Sequence, residues 1–278
     1  MEIGEDTLSL PGITLEGVAR GGIQTSLRVP ELGVLFDVGG RIPGQLKHGR
    51  ILISHGHQDH LGGLPYLLSQ RHLARLPPAD VHAPIEVIEP FQRILKAWSE
   101  IEDFEMDVHL HGHAHGDVVP IRKNLDAVAL RSEHRVPSLA WVVRRVSGRL
   151  KPEYADLPRE TLAQMRRDGE TLTDPVRTPV LCVSGDTKIE LFDREPMVRR
   201  CKVLVYEVTS WDDRRDVEHT RTWGHTHVDE LIERAEQFEG EALVLVHRSP
   251  RHTRTQAEEV VATRFPASVR DKVHIFGR

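Results

Sequence analysis

The chain has 278 residues, of which 39% are hydrophobic, enough apolar material for one large α/β domain with a sizeable core. Its 37 basic and 42 acidic side chains give a net charge of −5, which excludes a general polyanion binder and limits any nucleic-acid contact to a local basic patch. The acidic start of the sequence lacks the apolar segment of a signal peptide, and no run is long and apolar enough to span a membrane. Because the two cysteines, Cys182 and Cys201, are not close in sequence, we expect a cytoplasmic protein with neither a disulfide framework nor a membrane partner.

Six short apolar runs predict buried strands, and each run ends in a residue that can bind metal or move a proton. In chain order, these last residues are Asp37, His55, His134, Asp186, Glu207 and His247. Active sites of sheet proteins collect at one end of the strands, where the loops converge. The six endings therefore predict one shared functional site.

Helical patterns separate these runs, at residues 60–74, 90–101, 158–169 and 227–238. In the second of them, four apolar residues recur at helical spacing on one face: Phe91, Ile94, Leu95 and Trp98. Residues 147–178 are rich in charge and proline, and indicate a short excursion from the core instead of a linker. We therefore predict an α/β protein with a single domain over residues 1–278.

The segment "ISHGHQDHLGG" contains four metal-binding side chains in six residues, His55, His57, Asp59 and His60. In an extended segment, residues i and i+2 project to the same side, so that His55 and His57 can reach one metal ion. Asp59 and His60 point elsewhere and suit a second ion. The alternative is a solvated histidine-rich loop, but this density of ligands directly after an apolar strand favours metal binding.

Two metal ions need more donors than this segment supplies, since a catalytic zinc takes about three protein ligands plus water. Three strand endings supply the remaining donors, and the resulting assignment is His55, His57 and His134 for the first ion, and Asp59, His60 and His247 for the second. Asp186 is assigned as the bridge, because its two oxygens can each hold one ion. Ions held about 3.5–4 Å apart in this way activate water for hydrolysis.

The same motifs resemble a known superfamily. "HGHQDH" matches the HxHxDH signature of metallo-β-lactamase-fold hydrolases, and four later motifs resemble ribonuclease Z, the endonuclease that removes 3′ trailers from precursor tRNA. These motifs are "VSGDT", "LVYEVTSWDD", "GHTHVDEL" and "LVLVHRSPRHT". The resemblance runs from about Gly17 to Arg254 and is strongest to the short form found in plants and cyanobacteria.

The resemblance implies an αββα four-layer sandwich, in which two mixed sheets are flanked by helices. It also implies a homodimer with two zinc ions per chain, which manganese or iron can replace, and a phosphodiester substrate cut to leave a 3′-hydroxyl. It assigns acid catalysis to His225 and Glu207. Together with Asp59 of the HxHxDH motif, they are the candidate catalytic residues. The structural alternatives are a carboxylate held by an arginine for Glu207 and an exposed loop residue for His225.

The basic residues give less evidence of which side chains contact a substrate. Arg248 and Arg251 follow His247 closely and are candidates for substrate phosphate contacts, since guanidinium groups bind phosphate oxygens in pairs. The charged residues of segment 147–178 are expected to face solvent, because the segment is shorter than the protruding arm of bacterial relatives and has no Gly-Pro pair. Four alternating histidines between His109 and His115 imitate the first cluster, but are expected to form an exposed strand edge or turn, with adventitious metal binding as the alternative.

Three functions remain open on the sequence. The first is a two-zinc endoribonuclease acting on precursor tRNA. The second is a hydrolase of the same fold acting on a small phosphodiester such as a cyclic nucleotide, or on a lactone or thioester. The third is a non-catalytic binding protein stabilised by metal, which is disfavoured because a scaffold needs no open metal position.

Overall fold

The computed structural model describes residues 4–278, and its first half forms a seven-stranded sheet. Its strands follow one another in space as they do in sequence: β1 (Asp6–Leu10), β2 (Ile13–Arg20), β3 (Gln24–Val29), β4 (Val34–Phe36), β5 (Arg50–Leu52), β6 (Ala79–Pro84) and β7 (Val108–His113). The first four strands pair antiparallel, whereas β4 to β7 pair parallel. The sheet is therefore mixed, with its parallel half at the β7 edge.

The second half of the chain forms another mixed sheet of seven strands. These are β8 (Val118–Arg122), β9 (Leu125–Arg131), β10 (Leu139–Leu150), β11 (Thr173–Val183), β12 (Val203–Glu207), β13 (Ala242–Val246) and β14 (Val273–Ile275). Strands β8 to β11 pair antiparallel, and β11 to β14 pair parallel. The two sheets thus repeat one topology, an antiparallel meander followed by parallel strands.

Helices lie between the strands, and most of them cover the outer faces of the two sheets. They are α1 (Gln58–Leu61), α2 (Leu64–Leu73), α3 (Ile85–Glu102), α4 (Arg159–Arg167), α5 (Glu190–Arg194), α6 (Pro196–Arg199), α7 (Val217–Thr222), α8 (Val228–Ile232), α9 (Arg254–Arg264) and α10 (Ala267–Arg270). Within residues 4–278, none of these helices has the length and apolar character needed to cross a membrane.

The buried side chains form three layers, one between the sheets and one outside each of them. The inner layer contains Phe36 and Leu52 from the first sheet and Trp141 and Val205 from the second. The outer layers pack α1–α3 on one sheet and α5, α6 and α8–α10 on the other. Every residue of β12 and β13 is buried, because parallel strands are covered on both faces. The expected αββα sandwich of two mixed sheets flanked by helices is confirmed.

The six predicted strands are all present, but three predicted helices differ in extent. Segment 60–74 is divided at Gly62 and Gly63 into α1 and α2, and segment 227–238 is α-helical only to Ile232. The alternating histidine segment forms the edge strand β7, as the sequence indicates. Helix α3 begins at Ile85, earlier than predicted.

The apolar face predicted for α3 is only half buried. Phe91 and Leu95 pack on the first sheet, whereas Ile94 and Trp98 are exposed. Ile101, one turn further along, is exposed as well. The helix therefore presents an apolar stripe to solvent, because the sheet beneath it covers only part of its circumference.

Segment 147–178 continues the second sheet as a two-stranded ribbon. The distal halves of β10 and β11 pair from Ser147 opposite Val176 to Leu150 opposite Thr173. Helix α4 lies at the tip of this ribbon and contains no buried residue. Its charged side chains consequently face solvent.

Candidate metal centre

The donors that are distant in sequence meet at one edge of the sandwich, beyond the carboxyl ends of the parallel strands. His55 and His57 lie in the turn between β5 and α1, and Asp59 and His60 belong to α1. Three further donors follow β9, β11 and β13 in turn: His134, Asp186 and His247. Both sheets therefore contribute to the site, at the position where open α/β sheets bind ligands.

The first donor group consists of four side chains that each place one ligand atom within 4.8 Å of the others: His55, His57, His134 and Asp186. His57 Nδ1 lies 3.0 Å from His55 Nε2 and 3.3 Å from His134 Nε2. Ligands of a tetrahedral zinc, bound at about 2.0–2.1 Å, lie about 3.3 Å apart. The spacing of the imidazole nitrogens therefore fits one ion.

The second donor group consists of Asp59, His60 and His247. Asp59 Oδ2 lies 3.6 Å from both His60 Nε2 and His247 Nε2, and these two nitrogens are 3.4 Å apart. A third, overlapping group contains Asp186, His225 and His247. The assignment of donors made from the sequence thus corresponds to two sets of atoms that each converge on one point.

Asp186 connects the two groups through its separate oxygens. Its Oδ1 lies 3.4 Å from His60 Nε2 and 3.3 Å from His247 Nε2, whereas its Oδ2 lies 3.7 Å from His55 Nε2. Burial raises the pKa of Asp186, but the imidazoles of His247 and His60 outweigh this effect and hold the pKa well below its usual value, so that the carboxylate is ionised. Oδ1 is buried and makes no hydrogen bond. A buried anionic oxygen without a donor, facing several imidazole nitrogens, fits a cation.

Hydrogen bonds around the first histidines fix which ring nitrogen is available. Ser54 Oγ donates to Asp37 Oδ2 at 2.8 Å, so that it accepts from His55 Nδ1 at 3.0 Å. His60 Nδ1 donates to Asp37 Oδ2 at 2.8 Å. Both Nε2 atoms therefore keep a lone pair directed into the centre, which is the arrangement of a metal-ligating histidine with a carboxylate partner.

The same arrangement recurs at His134 and His247. His134 Nδ1 donates to the Gly224 carbonyl at 2.7 Å. Thr209 Oγ1 donates to Glu207 Oε2 at 2.9 Å and so accepts from His247 Nδ1 at 3.0 Å. Gly224 has φ +81°, and a Cβ at this position would lie 2.7 Å from His134 Nδ1, so that only glycine allows this contact.

Asp37 is one of the strand endings but has no role assigned from the sequence, and no sequence pattern indicates Ser54 or Thr209. Asp37 ends a predicted strand, which is the one signal that sequence inspection offers for it. It adopts φ +56°, an unusual conformation for a non-glycine residue, and accepts hydrogen bonds from the Ser54 backbone, the Ser54 hydroxyl and His60. This small network orients two donors of opposite groups at once.

The candidate acid pair lies beside the centre. Glu207 is fully buried, and its Oε1 accepts from His225 Nδ1 at 2.9 Å and from the backbone amides of Thr187 and Thr226 at 3.2 Å. Burial lowers the pKa of His225, but the Glu207 carboxylate outweighs it and raises the pKa to about 9. His225 is therefore protonated at neutral pH and oriented by a carboxylate, with Nε2 left for a reacting group.

The two candidate phosphate-binding arginines have different environments. Arg248 is only 3% exposed, and its guanidinium donates to the backbone carbonyls of His252 and Gly277. The phosphate contact expected for Arg248 is therefore wrong, because the side chain is directed into the interior and both of its terminal nitrogens bind backbone carbonyls there. Arg251 is exposed, and stays a candidate.

Comparisons with known proteins find relatives over nearly the whole chain. No protein-family model matches the chain. The chain is 32% identical to tRNase Z TRZ1 of Arabidopsis thaliana over 258 residues, which are 92% of each protein. It is 31% identical to the chloroplastic tRNase Z TRZ2 of the same plant, over 91% of this chain and 72% of that protein.

Solved structures resemble the chain in fold. A metallo-β-lactamase-fold protein from Bacillus subtilis, YhfI, superposes with a TM-score of 0.63 and 14% identity, over 94% of each chain. The short form of human tRNase Z superposes with a TM-score of 0.58 and 17% identity, again over 94% of each chain. The metallo-β-lactamase fold expected from the HxHxDH motif is confirmed.

Proposed function

The chain belongs to the ribonuclease Z family, and on that premise we propose that it is a metal-dependent endoribonuclease that removes the 3′ trailer of precursor tRNA. The observation that carries the proposal is the position of Asp186, whose two oxygens face two separate groups of donors while Oδ1 lacks a hydrogen bond. A merely structural carboxylate at full burial would have its oxygens satisfied by donors. The proposal thus rests on the donor set as well as on the family.

We propose two zinc ions per chain, with manganese or iron as substitutes. His55, His57 and His134 would hold one ion, and Asp59, His60 and His247 the other, with Asp186 between them. When bound, such ions activate water and neutralise charge on phosphoryl oxygens. Imidazole and carboxylate donors in this ratio suit zinc and its neighbours better than magnesium or calcium.

The chain's own residues would manage the proton of the leaving group. Cleavage releases a ribose 3′ oxygen that carries negative charge and requires a proton. His225 offers this proton from Nε2, because Glu207 accepts the hydrogen bond from Nδ1 and favours the charged ring. Glu207 does not touch the substrate in this account, and acts by orienting His225.

The pH dependence of turnover gives a test of this pair. His225 must be protonated to act, so activity should fall as the pH rises through its pKa. Because the Glu207 carboxylate raises that pKa, Glu207→Gln should lower it and move the alkaline limb of the kcat profile to lower pH. The measurement is kcat for a precursor tRNA, whose ribose leaving oxygen requires a proton, between pH 6 and about 10. An alkaline limb that stays in place would contradict the assigned acid.

An exposed aromatic side chain beside the centre supports an RNA substrate. Trp223 is 49% exposed, directly precedes Gly224 and His225, and is covered on one side by the Arg135 guanidinium, 4.6 Å from the ring centroid. A solvent-open cleft of about 530 Å³ borders His134 and Arg135. A tryptophan face and a guanidinium next to a phosphodiester-cleaving centre suit the stacking of a nucleobase.

Trp223→Ala should therefore raise KM for a precursor tRNA. Loss of one stacked base is worth about 1–3 kcal/mol, or about 5- to 150-fold in affinity. Turnover of bis(p-nitrophenyl) phosphate, which has no base, should stay at the parental level. The matched control is Tyr66→Ala, which removes an equally exposed aromatic side chain from α2. Equal KM values for the parent and Trp223→Ala would exclude the stacking contact.

Further contacts to the substrate backbone are proposed at Arg251. Partial burial lowers its pKa, as do the neighbouring Arg215 and Arg214, while Asp212 raises it, so that three arginines lie together around one carboxylate. Such a patch can neutralise phosphates although the chain is acidic overall. The charged residues of α4 are less suited, because acidic side chains stand among them.

The substrate class is tested by a single comparison. Zinc-loaded protein is incubated with a 3′-extended tRNA transcript, and the position and end groups of the cut are mapped. We expect cleavage after the acceptor stem that leaves a 3′-hydroxyl on the tRNA. Hydrolysis of bis(p-nitrophenyl) phosphate without any tRNA cleavage would favour a small phosphodiester instead, and hydrolysis of a lactone alone would contradict phosphodiester chemistry.

We also propose a homodimer formed through the apolar stripe of α3, made of Ile94, Trp98 and Ile101. These residues recur at i, i+4 and i+7, and are exposed together on one helix face, which a second copy of the chain would cover. The double variant Trp98→Glu/Ile101→Glu should sediment as a monomer, whereas the parent sediments as a dimer. Leu157→Glu, a charge placed at an exposed apolar residue elsewhere, is the control. A dimer that persists in the double variant would place the interface elsewhere.

A further inference from the structure

A second concentration of metal-binding side chains lies on β6 and β7, outside the catalytic centre. Parallel pairing sets Asp80 beside His109 and His82 beside His111, and their side chains occupy the face directed toward the other sheet. This is the end of the inner layer, where polar residues replace the apolar ones of the neighbouring strands. The sequence shows the β7 histidines alone, and the fold adds the two residues of β6.

The outermost residues of this group converge on one oxygen. Asp80 Oδ1 lies 3.2 Å from His109 Nδ1 and 3.4 Å from His111 Nε2. Both separations are hydrogen-bond distances to the carboxylate, and the nitrogens of His109 and His111 lie further from each other than the 3.0–3.3 Å between imidazole nitrogens in the first donor group of the catalytic centre. His109 and His111 also have the same i, i+2 spacing as His55 and His57, and offer the same two kinds of ring nitrogen.

We propose that Asp80, His109 and His111 form a further metal site, which binds one zinc ion or another late transition-metal ion such as Ni²⁺ or Cu²⁺. Two imidazoles and one carboxylate are donors that these ions prefer. The ring centroids of His109 and His111 are 6.5 Å apart, so binding requires the rings to turn toward each other. Their side chains are 60% and 43% exposed, which leaves them free to do so.

Buried residues beneath the group support this proposal. His82 is only 7% exposed, and its ring stacks on His111 at 4.7 Å with an interplanar angle of 16°. Its Nδ1 lies 2.9 Å from His113 Nε2, and its Nε2 is buried without a hydrogen-bond partner. The stacked His82 ring, itself held by His113, therefore supports His111 from below.

Nearby charge limits the affinity of this site for a metal ion. Burial raises the pKa of Asp80, but Arg50, His109 and His111 outweigh it, so that the carboxylate is ionised. Arg50 lies 3.2 Å from Asp80 Oδ2 and leaves Oδ1 to the histidines. The guanidinium opposes a cation at this distance. We therefore expect the site to fill after the catalytic centre.

The test measures metal bound per chain after equilibrium dialysis against zinc, with a chromogenic chelator as the readout. The double variant His109→Ala/His111→Ala should bind about one ion fewer than the parent. The control His72→Ala/His219→Ala, which removes two exposed histidines elsewhere, should bind as many as the parent. Turnover of bis(p-nitrophenyl) phosphate should be equal in all three proteins, because neither pair belongs to the catalytic machinery.

A second set of variants distinguishes failure of this further metal site from failure of the proposed function. In Asp186→Asn, which weakens the catalytic centre, replacement of His109 and His111 should still remove about one bound zinc ion per chain. Asp80→Asn provides a second variant that keeps the fold of the strand, and should release the same ion. Equal zinc content in the parent, in His109→Ala/His111→Ala and in Asp80→Asn would overturn the further site, whatever the enzyme's activity.

Discussion

His225→Ala is expected to lower kcat for a phosphodiester by about 10²- to 10⁴-fold, which is the usual contribution of general acid–base catalysis. The variant should retain its bound metal, because the Nδ1 of His225 is hydrogen-bonded to Glu207 and the seven other donors of the centre are unchanged. The loss should be smaller for a substrate with a good leaving group such as p-nitrophenolate, which leaves without a proton. The measurements are kcat for precursor tRNA and for bis(p-nitrophenyl) phosphate, together with metal content.

His219→Ala provides the matched control, since His219 is an exposed histidine on the neighbouring helix α7. It should leave both turnover numbers unchanged. Loss of metal in His225→Ala would instead assign His225 to the ligands, as its overlap with Asp186 and His247 allows. An equal loss with both substrates would contradict its role as the acid for the leaving oxygen.

Asp186→Asn is expected to abolish hydrolysis of every phosphodiester, with a loss at least as large as that of His225→Ala. The amide has nearly the shape of the carboxylate, but cannot place an anionic oxygen toward each donor group. Zinc should also stabilise the folded state of this variant less than that of the parent. In the parent, free zinc at 100 times its Kd stabilises the folded state by about 2.7 kcal/mol.

The measurement for Asp186→Asn is the difference in melting temperature with and without zinc, together with turnover. Asp193→Asn is the control, because Asp193 is an exposed carboxylate that pairs with Arg234 far from the centre. It should retain the parental zinc-dependent shift. Parental activity and parental zinc stabilisation in Asp186→Asn would show that the bridging assignment is mistaken.

The sequence allowed the donors to be predicted because they occupy positions that local patterns define. His55 and His57 stand in a dense motif directly after an apolar strand, and Asp186 and His247 end strands that β-branched and apolar runs identify. Parallel strands bring their carboxyl ends to one edge, so that these positions meet without any knowledge of the loops. The sandwich itself was implied by the family resemblance.

The supporting contacts were not predictable, because they depend on the tertiary neighbours of each side chain. The Nδ1 partners Asp37, Ser54 and Thr209 are ordinary polar residues until the fold places them against a histidine. Arg248 follows a donor directly, as a phosphate ligand would, yet the turn after β13 directs it inward to backbone carbonyls. Proximity in sequence gave no information about that direction.

The exposed stripe of α3 and the group at Asp80 illustrate the same limit. Helical periodicity identifies an apolar face, but not how much of that face the sheet covers, so Ile94 and Trp98 were predicted like Phe91 and Leu95. The alternating histidines of β7 were visible, whereas their partners on β6 lie about thirty residues earlier in the chain. Strand pairing, which no local pattern specifies, makes a group out of them.

Anomalous diffraction from crystals of the zinc-loaded protein tests the central claim most directly. Our account predicts two peaks at the zinc edge, about 3.5–4 Å apart, on either side of the Asp186 carboxylate. One peak should lie among His55, His57 and His134, and the other among the second group of donors. A single peak, or a pair of peaks that do not share Asp186, would contradict the two-metal centre on which the proposed function depends.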